Sequence, residues 1–299
     1  MSAMEPASST TSVSPANEEA IEAWNGVLFD RFLQFRDVVT TGLGVAGDEA
    51  LRLNPPADGE RVLDIGCGFG DTSRRIAQLV GPGGEVLGLD AAARFIETAR
   101  REAEEAGVGN VRFEVADVEA GELEQGFGFA FSRMGTMFFA NPVAALRNIR
   151  AALDPGGRLC MVVWRQKEEN EWMARAEKVV ERFVEEDEDS DEPTCGPGPF
   201  SMANADTTSG ILVSAGFHDI ALHRFDFPYR VGDDLDQAVA LAMALGPAGE
   251  VLRLAGDEAE RLRPQIAEAL RDAFAEFDGS DGIRGPASTW IVTAQAPAG

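Results

Sequence analysis

The sequence has little cysteine and no long apolar run. Its three cysteines, Cys67, Cys160 and Cys195, are too few and too scattered for a disulfide framework or a zinc site, and we expect no bound metal. No segment approaches the roughly 20 apolar residues that a transmembrane helix needs. Residues 1–16 are rich in Ser, Thr and Pro, which predicts a disordered tail and not a secretory signal. We therefore expect a cytoplasmic protein that does not associate with a membrane.

Positive charge is scarce as well. The chain of 299 residues carries 51 acidic and 26 basic residues, a net charge of −25. Binding to DNA or RNA draws most of its affinity from neutralised phosphates, so this charge predicts no nucleic-acid partner. Histidine is limited to His218 and His223, which lie five positions apart in a predicted strand and so face opposite sides of the sheet. The two imidazoles therefore cannot act as a pair.

Glycine is abundant where it is most informative, in a turn that follows an apolar strand. The run is DIGCGFG, residues 64–70, and the helical pattern that follows begins at Asp71. A buried strand that feeds a glycine-rich turn at a helix N-terminus is the place where a doubly wound sheet holds a nucleotide-like ligand.

The spacing of these glycines disfavours a dinucleotide. The fingerprint G-x-G-x-x-G accepts Gly66 and Gly68 but needs a third glycine at position 71, where this chain has Asp71. A carboxylate there brings negative charge to the helix end that a pyrophosphate requires. Asp64, at the end of the strand, suits a ligand with an amine or a cationic centre. An NAD-dependent dehydrogenase stays open only as a less favoured alternative.

Three more motifs follow in order. A predicted strand over 85–90 ends in Asp90, whose carboxylate could accept hydrogen bonds from ribose hydroxyls. A third strand, 111–115, is followed by Asp117. The run LDPGGRL, residues 153–159, leads into an apolar strand.

Together these four motifs resemble the class I S-adenosylmethionine (SAM)-dependent methyltransferases, and within them the ubiquinone/menaquinone-biosynthesis-like group that acts on small molecules. The resemblance implies SAM as the cofactor. It places the methionine part near the glycine turn, the ribose at Asp90 and the adenine at Asp117, although Asp90 could also cap a helix and Asp117 could simply close a strand. The implied cofactor-binding residues are Asp64, Gly66, Cys67, Gly68, Asp90, Ala91, Asp117, Val118 and Ser132.

The fold class that we predict is α/β, with a Rossmann-like, mostly parallel sheet of seven strands and an antiparallel last strand. A helical face over 17–39 and a short helix over 46–53 place N-terminal helices in residues 17–57. The methyltransferase domain then covers 58–299. Residues 233–286 are too long for a hairpin loop and carry helical patterns, so we expect an inserted helical cap between the sixth and seventh strands.

The acceptor side is less determined. Trp24, Arg133 and Met137 are candidate substrate residues. A docked helix explains Trp24 too, a surface position explains Arg133 equally, and a residue such as Met137 more often packs in the core. The catalytic residue is unknown, with His223 and Tyr229 as weak candidates for a base.

Methyl transfer from a sulfonium is an in-line displacement with an activated donor, so positioning alone can supply much of the catalysis. We expect transfer to a small, apolar or aromatic acceptor. A SAM-binding regulatory or assembly protein without transfer activity stays open as the alternative. O-, N- and C-methylation are not distinguished by the sequence, and neither is the oligomeric state, with a homodimer as one option.

Overall fold

A computed structural model describes residues 13–184 and 197–299 of the chain. Cys195 and most of the predicted tail, 1–16, lie outside the described residues. The strands are β1 (Arg61–Ile65), β2 (Glu85–Asp90), β3 (Val111–Val115), β4 (Phe127–Arg133), β5 (Leu153–Trp164), β6 (His218–Gly232), β7 (Asp278–Gly279) and β8 (Gly282–Gln295).

The helices lie before, between and after these strands. The α-helices are α1 (Glu18–Asn25), α2 (Val27–Gln34), α3 (Arg36–Leu53), α4 (Asp71–Val80), α5 (Ala93–Glu105), α6 (Pro142–Ala152), α7 (Glu171–Val180), α8 (Ala205–Ala215), α9 (Leu235–Ala244), α10 (Gly246–Leu254) and α11 (Gly256–Phe274). Short 3-10 helices cover Thr136–Phe138, Lys167–Glu169 and Ala275–Phe277.

The strands form one sheet in the order β3-β2-β1-β4-β5-β8-β6, and the two-residue β7 pairs with β8. Strands β1 to β5 are parallel, whereas β8 runs antiparallel to both β5 and β6. The predicted fold class is therefore confirmed. Strands β6 and β8 pair along almost their whole length, from His218–Gln295 to Gly232–Ile283.

The core lies on both faces of the central strands. Phe127, Phe129 and Phe131 of β4 share one face of the sheet and are fully buried, and Ala130 on the opposite face is fully buried as well. Burial of both faces is what a parallel sheet covered by helices requires, and it explains why these strands read as continuous apolar runs. On one of the covering helices, α4, the buried residues Ile76 and Val80 lie one turn apart.

The N-terminal helices differ from the prediction. The single helix expected over 17–39 is broken at Gly26 and Phe35, and the short helix expected over 46–53 is the end of a continuous α3. Two of the glycines inside α3 allow close packing. A Cβ at Gly42 would lie 2.6 Å from the Tyr229 ring, and one at Gly47 would lie 3.0 Å from Cδ of Arg133.

Helices α9, α10 and α11 lie between β6 and β8 in the chain. The helix α10 begins at Gly246, and Pro247 lies in its first turn, where the missing N–H of proline costs nothing. Within the described ranges no single helix is long and apolar enough to cross a membrane. The bent pair α9 and α10 reaches the required length and composition only when both are taken together.

The glycines of α3 provide a test of this packing. Gly42→Ala would place a methyl group against the Tyr229 ring, which is stacked on Trp172 at 4.9 Å and cannot easily move. We expect the variant to lose about 1–3 kcal/mol of unfolding free energy through overpacking. The matched control is Gly44→Ala, whose Cβ would meet nothing within 4 Å. The free energy of unfolding of this control should rise by up to about 1 kcal/mol, because alanine has a higher helix propensity than glycine.

Urea denaturation of the two variants and the wild type measures this difference. Equal unfolding free energies for Gly42→Ala and Gly44→Ala would contradict the close approach of α3 to Tyr229.

Candidate functional site

A cavity of about 820 Å³ opens at the carboxyl ends of the central strands. The strand order reverses between β1 and β4, because the chain leaves β1 towards β2 on one side and leaves β4 towards β5 on the other. Such a reversal is where open α/β sheets bind their ligands. Residues from the N-terminal helices and from α7, α9 and α10 form much of the remaining wall.

The glycine turn shapes one end of this cavity. Gly66 and Gly68 have φ values of +66° and +53°, in the left-handed region that favours glycine. A Cβ at Gly66 would also lie 2.9 Å from Cα of Gly135, so only glycine fits there. The turn is consequently without side chains at the point where a ligand would approach it.

Asp90 is held by backbone groups beside this turn. Its Oδ2 accepts a hydrogen bond from the Gly68 amide at 2.9 Å, and its Oδ1 accepts one from the Ala92 amide at 3.0 Å. The side chain lines the cavity, and burial raises the pKa of the carboxyl above its usual range. The remaining lone pairs of the two oxygens are available to hydroxyl groups of a ligand.

Two of the predicted cofactor residues do not line the cavity. Asp64 is buried beneath the turn, where Oδ2 accepts a hydrogen bond from the Ser73 hydroxyl, and burial raises its pKa to about 7. Ser132 is buried and donates to the Ile65 carbonyl at 2.8 Å, which ties β4 to β1. The other predicted residues do line it: Gly66, Cys67, Gly68, Asp90, Ala91, Asp117 and Val118.

Asp71 and Arg133 define the charge at the start of α4. The Arg133 guanidinium lies 2.9 Å from the Asp71 carboxylate, and both side chains line the cavity. The carboxylate occupies the helix N-terminus, where a dinucleotide would need to place its pyrophosphate. This end of the cavity therefore suits a nucleoside with a short charged chain better than a dinucleotide.

Aromatic side chains form the opposite end, and two of them, Trp164 and Trp172, were not singled out by the sequence analysis. Trp172 stacks on Tyr229 at 4.9 Å, and Trp164 meets the same tyrosine edge-on at 6.1 Å. Met137, a predicted substrate residue, lies in the same wall. Burial raises the pKa of Tyr229 well above its usual range, so its hydroxyl keeps its proton and is a poor base.

The two weak candidates for a base, Tyr229 and His223, differ in their position relative to the cavity. Tyr229 is buried at the cavity, whereas His223 is exposed on β6 and does not line it. His223 and Tyr229 lie six positions apart on the same face of β6, which is exposed at His223 and covered at Tyr229. His223 is therefore not a candidate for the catalytic base.

Trp24 belongs to an aromatic cluster that covers the cavity from the N-terminal side. Its ring lies 5.3 Å from Phe32 and 5.0 Å from Phe138. In the same cluster Phe29 packs on Phe69, the residue after Gly68, at 5.9 Å. The helices α1 and α2 are thus fixed to the glycine turn by apolar contacts.

Comparison with known proteins identifies a family. Residues 56–205, half of the chain, match the methyltransferase domain family. The ubiquinone/menaquinone biosynthesis C-methyltransferase UbiE of Pseudomonas savastanoi pv. phaseolicola (strain 1448A / Race 6) is 30% identical over 184 residues, which are 58% of this chain and 71% of that protein. Aklanonic acid methyltransferase DauC of Streptomyces sp. (strain C5) is 39% identical over 114 residues. That match spans 38% of this chain and about half, 52%, of DauC.

Solved structures share the fold. The YcgJ protein from Bacillus subtilis superposes with a TM-score of 0.53 at 17% identity, over 87% of this chain and 99% of that chain. A methyltransferase structure from Bacillus halodurans C-125, described as putative, gives a TM-score of 0.51 at 15% identity, over 84% and 98% of the two chains. At these identities the likeness concerns the architecture alone.

The buried carboxyl of Asp64 predicts a pH dependence of stability. Its pKa is about 7 in the folded chain and about 4 when unfolded, so the folded state keeps a proton that the unfolded state releases. The stability present at acid pH is therefore lost as the pH rises from about 4 through 7. Asp64→Asn, which never ionises, should escape this loss.

Thermal melts of the protein without added ligand at pH 5, 6, 7 and 8 measure this. The melting temperature of Asp64→Asn should rise relative to that of the wild type as the pH rises. Asp48→Asn, in which an exposed carboxyl is replaced, should keep a constant difference. A constant difference for Asp64→Asn too would contradict the raised pKa.

Proposed function

This chain belongs to the SAM-dependent methyltransferases, and from that premise we propose that it methylates a small, apolar or aromatic molecule bound at the aromatic end of the cavity. The single observation that carries the proposal is that one cavity joins the turn at Gly66–Gly68 and Asp90 to the aromatic wall of Trp172 and Tyr229. Cofactor and acceptor can therefore meet without leaving the protein.

Each residue at the cofactor end of the cavity is assigned a separate role. SAM, when bound, supplies a methyl group that its sulfonium already activates. Asp90, oriented by two backbone amides, accepts hydrogen bonds from the ribose hydroxyls. Gly66 and Gly68 leave room for the methionine part. Asp64 lies beneath the turn, so we assign it to supporting the turn through Ser73 and not to direct contact.

The acceptor end favours an apolar or aromatic molecule. Trp164, Trp172 and Tyr229 present ring faces and edges, and Met137 and Leu241 add aliphatic surface. Aromatic pairs of this geometry gain about 0.5–1.5 kcal/mol beyond the area that they bury. We propose that the N-terminal helices and helices α9 to α11 enclose this end as a cap.

Positioning carries the catalysis in this proposal. Glu177 is paired with Lys167 and Glu250 with Arg253, so these carboxylates at the acceptor end already neutralise a basic side chain. Tyr229 keeps its proton. The chain therefore aligns the nucleophile with the methyl group and excludes water, and alignment of this kind is worth about 7–11 kcal/mol at its best.

Calorimetric titration with SAM, S-adenosylhomocysteine and NAD tests the cofactor assignment. The wild type should bind both adenosyl ligands and not NAD. Asp90→Ala removes the acceptor of the ribose hydrogen bonds, each worth about 1.5–3 kcal/mol to a charged group, so affinity should fall more than about tenfold. Asp48→Ala, which removes an exposed carboxylate outside the cavity, should bind like the wild type. Binding of NAD alone would contradict the proposal.

Trp172→Leu tests the acceptor end separately. Loss of the stacked ring should lower the rate of methyl transfer to a responsive member of a panel of phenols, quinols and aromatic acids, while S-adenosylhomocysteine binds unchanged. Trp290→Leu is the matched control, because Trp290 lies on β8 outside the cavity and donates to the Ala203 carbonyl. Binding of S-adenosylhomocysteine without transfer to any acceptor would favour the alternative of a binding protein without transferase activity.

A further inference from the structure

One basic side chain of the cavity has no acidic partner. Three basic residues of the described segments line the cavity, namely Arg31, Arg133 and Lys167. The Arg133 guanidinium is paired with Asp71 at 2.9 Å, and Lys167 is paired with Glu177. Arg31 forms no ion pair with any residue that the structure describes. The wall of the cavity therefore carries a positive charge that a ligand could neutralise.

A single hydrogen bond orients the Arg31 guanidinium. Arg31 lies on α2, and its Nη1 donates to the Ala244 carbonyl at the end of α9, at 3.1 Å. A guanidinium carries five N–H donors, so most of them make no hydrogen bond to a described residue. The side chain is half-buried and lines the cavity. Its remaining donors are therefore available to a ligand there.

The charges around Arg31 favour an anion. Burial and, next, the charge of Arg253 lower the pKa of Arg31. Glu250 acts in the opposite direction, but it is itself paired with Arg253 at 2.9 Å. Arginine nevertheless stays protonated in proteins. A bound carboxylate would relieve this repulsion and could accept two hydrogen bonds from the planar guanidinium at once.

Arg31 lies at the acceptor end of the cavity. The carbonyl that it contacts is two residues before Gly246, where a Cβ would lie 4.0 Å from the Met173 sulfur. Met173 follows Trp172 on α7, and both residues line the cavity. The cofactor end has a cation of its own, Arg133, at the start of α4. A carboxylate at Arg31 is therefore assigned to the acceptor.

We propose that Arg31 binds the carboxylate of an aromatic acid, and that this acid is the acceptor whose ring packs against Trp172 and Tyr229. The inference rests on the proposed function and narrows its apolar or aromatic acceptor to an anionic one. Arg31 is then a specificity-determining residue that selects an acid over a neutral molecule of the same shape. The carboxylate in the methionine part of the cofactor has the same chemistry, so the test separates the two sources.

The test compares the binding of 2-naphthoate and 2-naphthamide by calorimetry, with S-adenosylhomocysteine present at saturation. The two probes have the same ring surface and nearly the same size, and they differ in charge. The wild type should bind 2-naphthoate more than about tenfold more tightly, as expected for hydrogen bonds between charged partners. Arg31→Gln should bring the ratio of the two affinities close to one and leave the affinity for 2-naphthamide unchanged.

Two further variants separate charge from folding. Glutamine can still donate to the Ala244 carbonyl, so Arg31→Gln should keep the contact between α2 and α9. Arg31→Lys keeps the charge but loses the planar fork, so its ratio should lie between those of the wild type and Arg31→Gln. Arg52→Gln is the matched control, because it removes an exposed arginine that does not line the cavity. Its ratio should equal that of the wild type.

The outcomes distinguish this inference from the proposed function. Equal affinities of the wild type for the two probes, or binding of neither, would overturn the inference while binding of S-adenosylhomocysteine still supports the proposed function. Weaker binding of S-adenosylhomocysteine to Arg31→Gln would assign Arg31 to the cofactor carboxylate and overturn the acceptor assignment. Failure of the wild type to bind S-adenosylhomocysteine would overturn the proposed function, and this inference with it.

Discussion

The contact between the loops that leave β1 and β4 is the constraint on which the site depends. A Cβ at Gly66 would lie 2.9 Å from Cα of Gly135, and a Cβ at Gly135 would lie 2.9 Å from the Ile65 carbonyl. The two backbones touch at the point where the strand order reverses, which only glycine permits. Because the chain then departs in opposite directions, a crevice opens above the contact, and Asp90 and the glycine turn form its floor.

The parts of the cavity come from different levels of the fold. The glycine turn and Asp90 follow consecutive strands, so their geometry is set by the sheet itself. The aromatic end is built from segments far apart in the chain: Trp172 belongs to α7, and Tyr229 lies on the long β6. The antiparallel pairing of β6 with β8 extends to Gly232 and carries the chain into α9. A common sheet can thus hold one cofactor while the added helices define the acceptor.

Local features were predictable from the sequence, and long-range features were not. The turn at Gly66 and Gly68 and the strand ends follow from consecutive residues. The fold and seven of the nine predicted cofactor residues that line the cavity could therefore be named in advance. The inward burial of Asp64 could not be predicted, because alternation along a strand does not reveal which face a covering loop will close. Asn17 meets Asp117 across 100 residues, and the glycines of α3 meet Tyr229 and Arg133, so no local pattern marks their roles.

The most direct test of the account is a crystal structure of the protein with S-adenosylhomocysteine. The ribose hydroxyls should lie at Asp90 and the homocysteine part along the turn at Gly66–Gly68, with the sulfur facing the aromatic end at Trp172 and Tyr229. A ligand bound in the reverse direction, with its adenine against Trp172 and Tyr229, would contradict the division of the cavity into a cofactor end and an acceptor end.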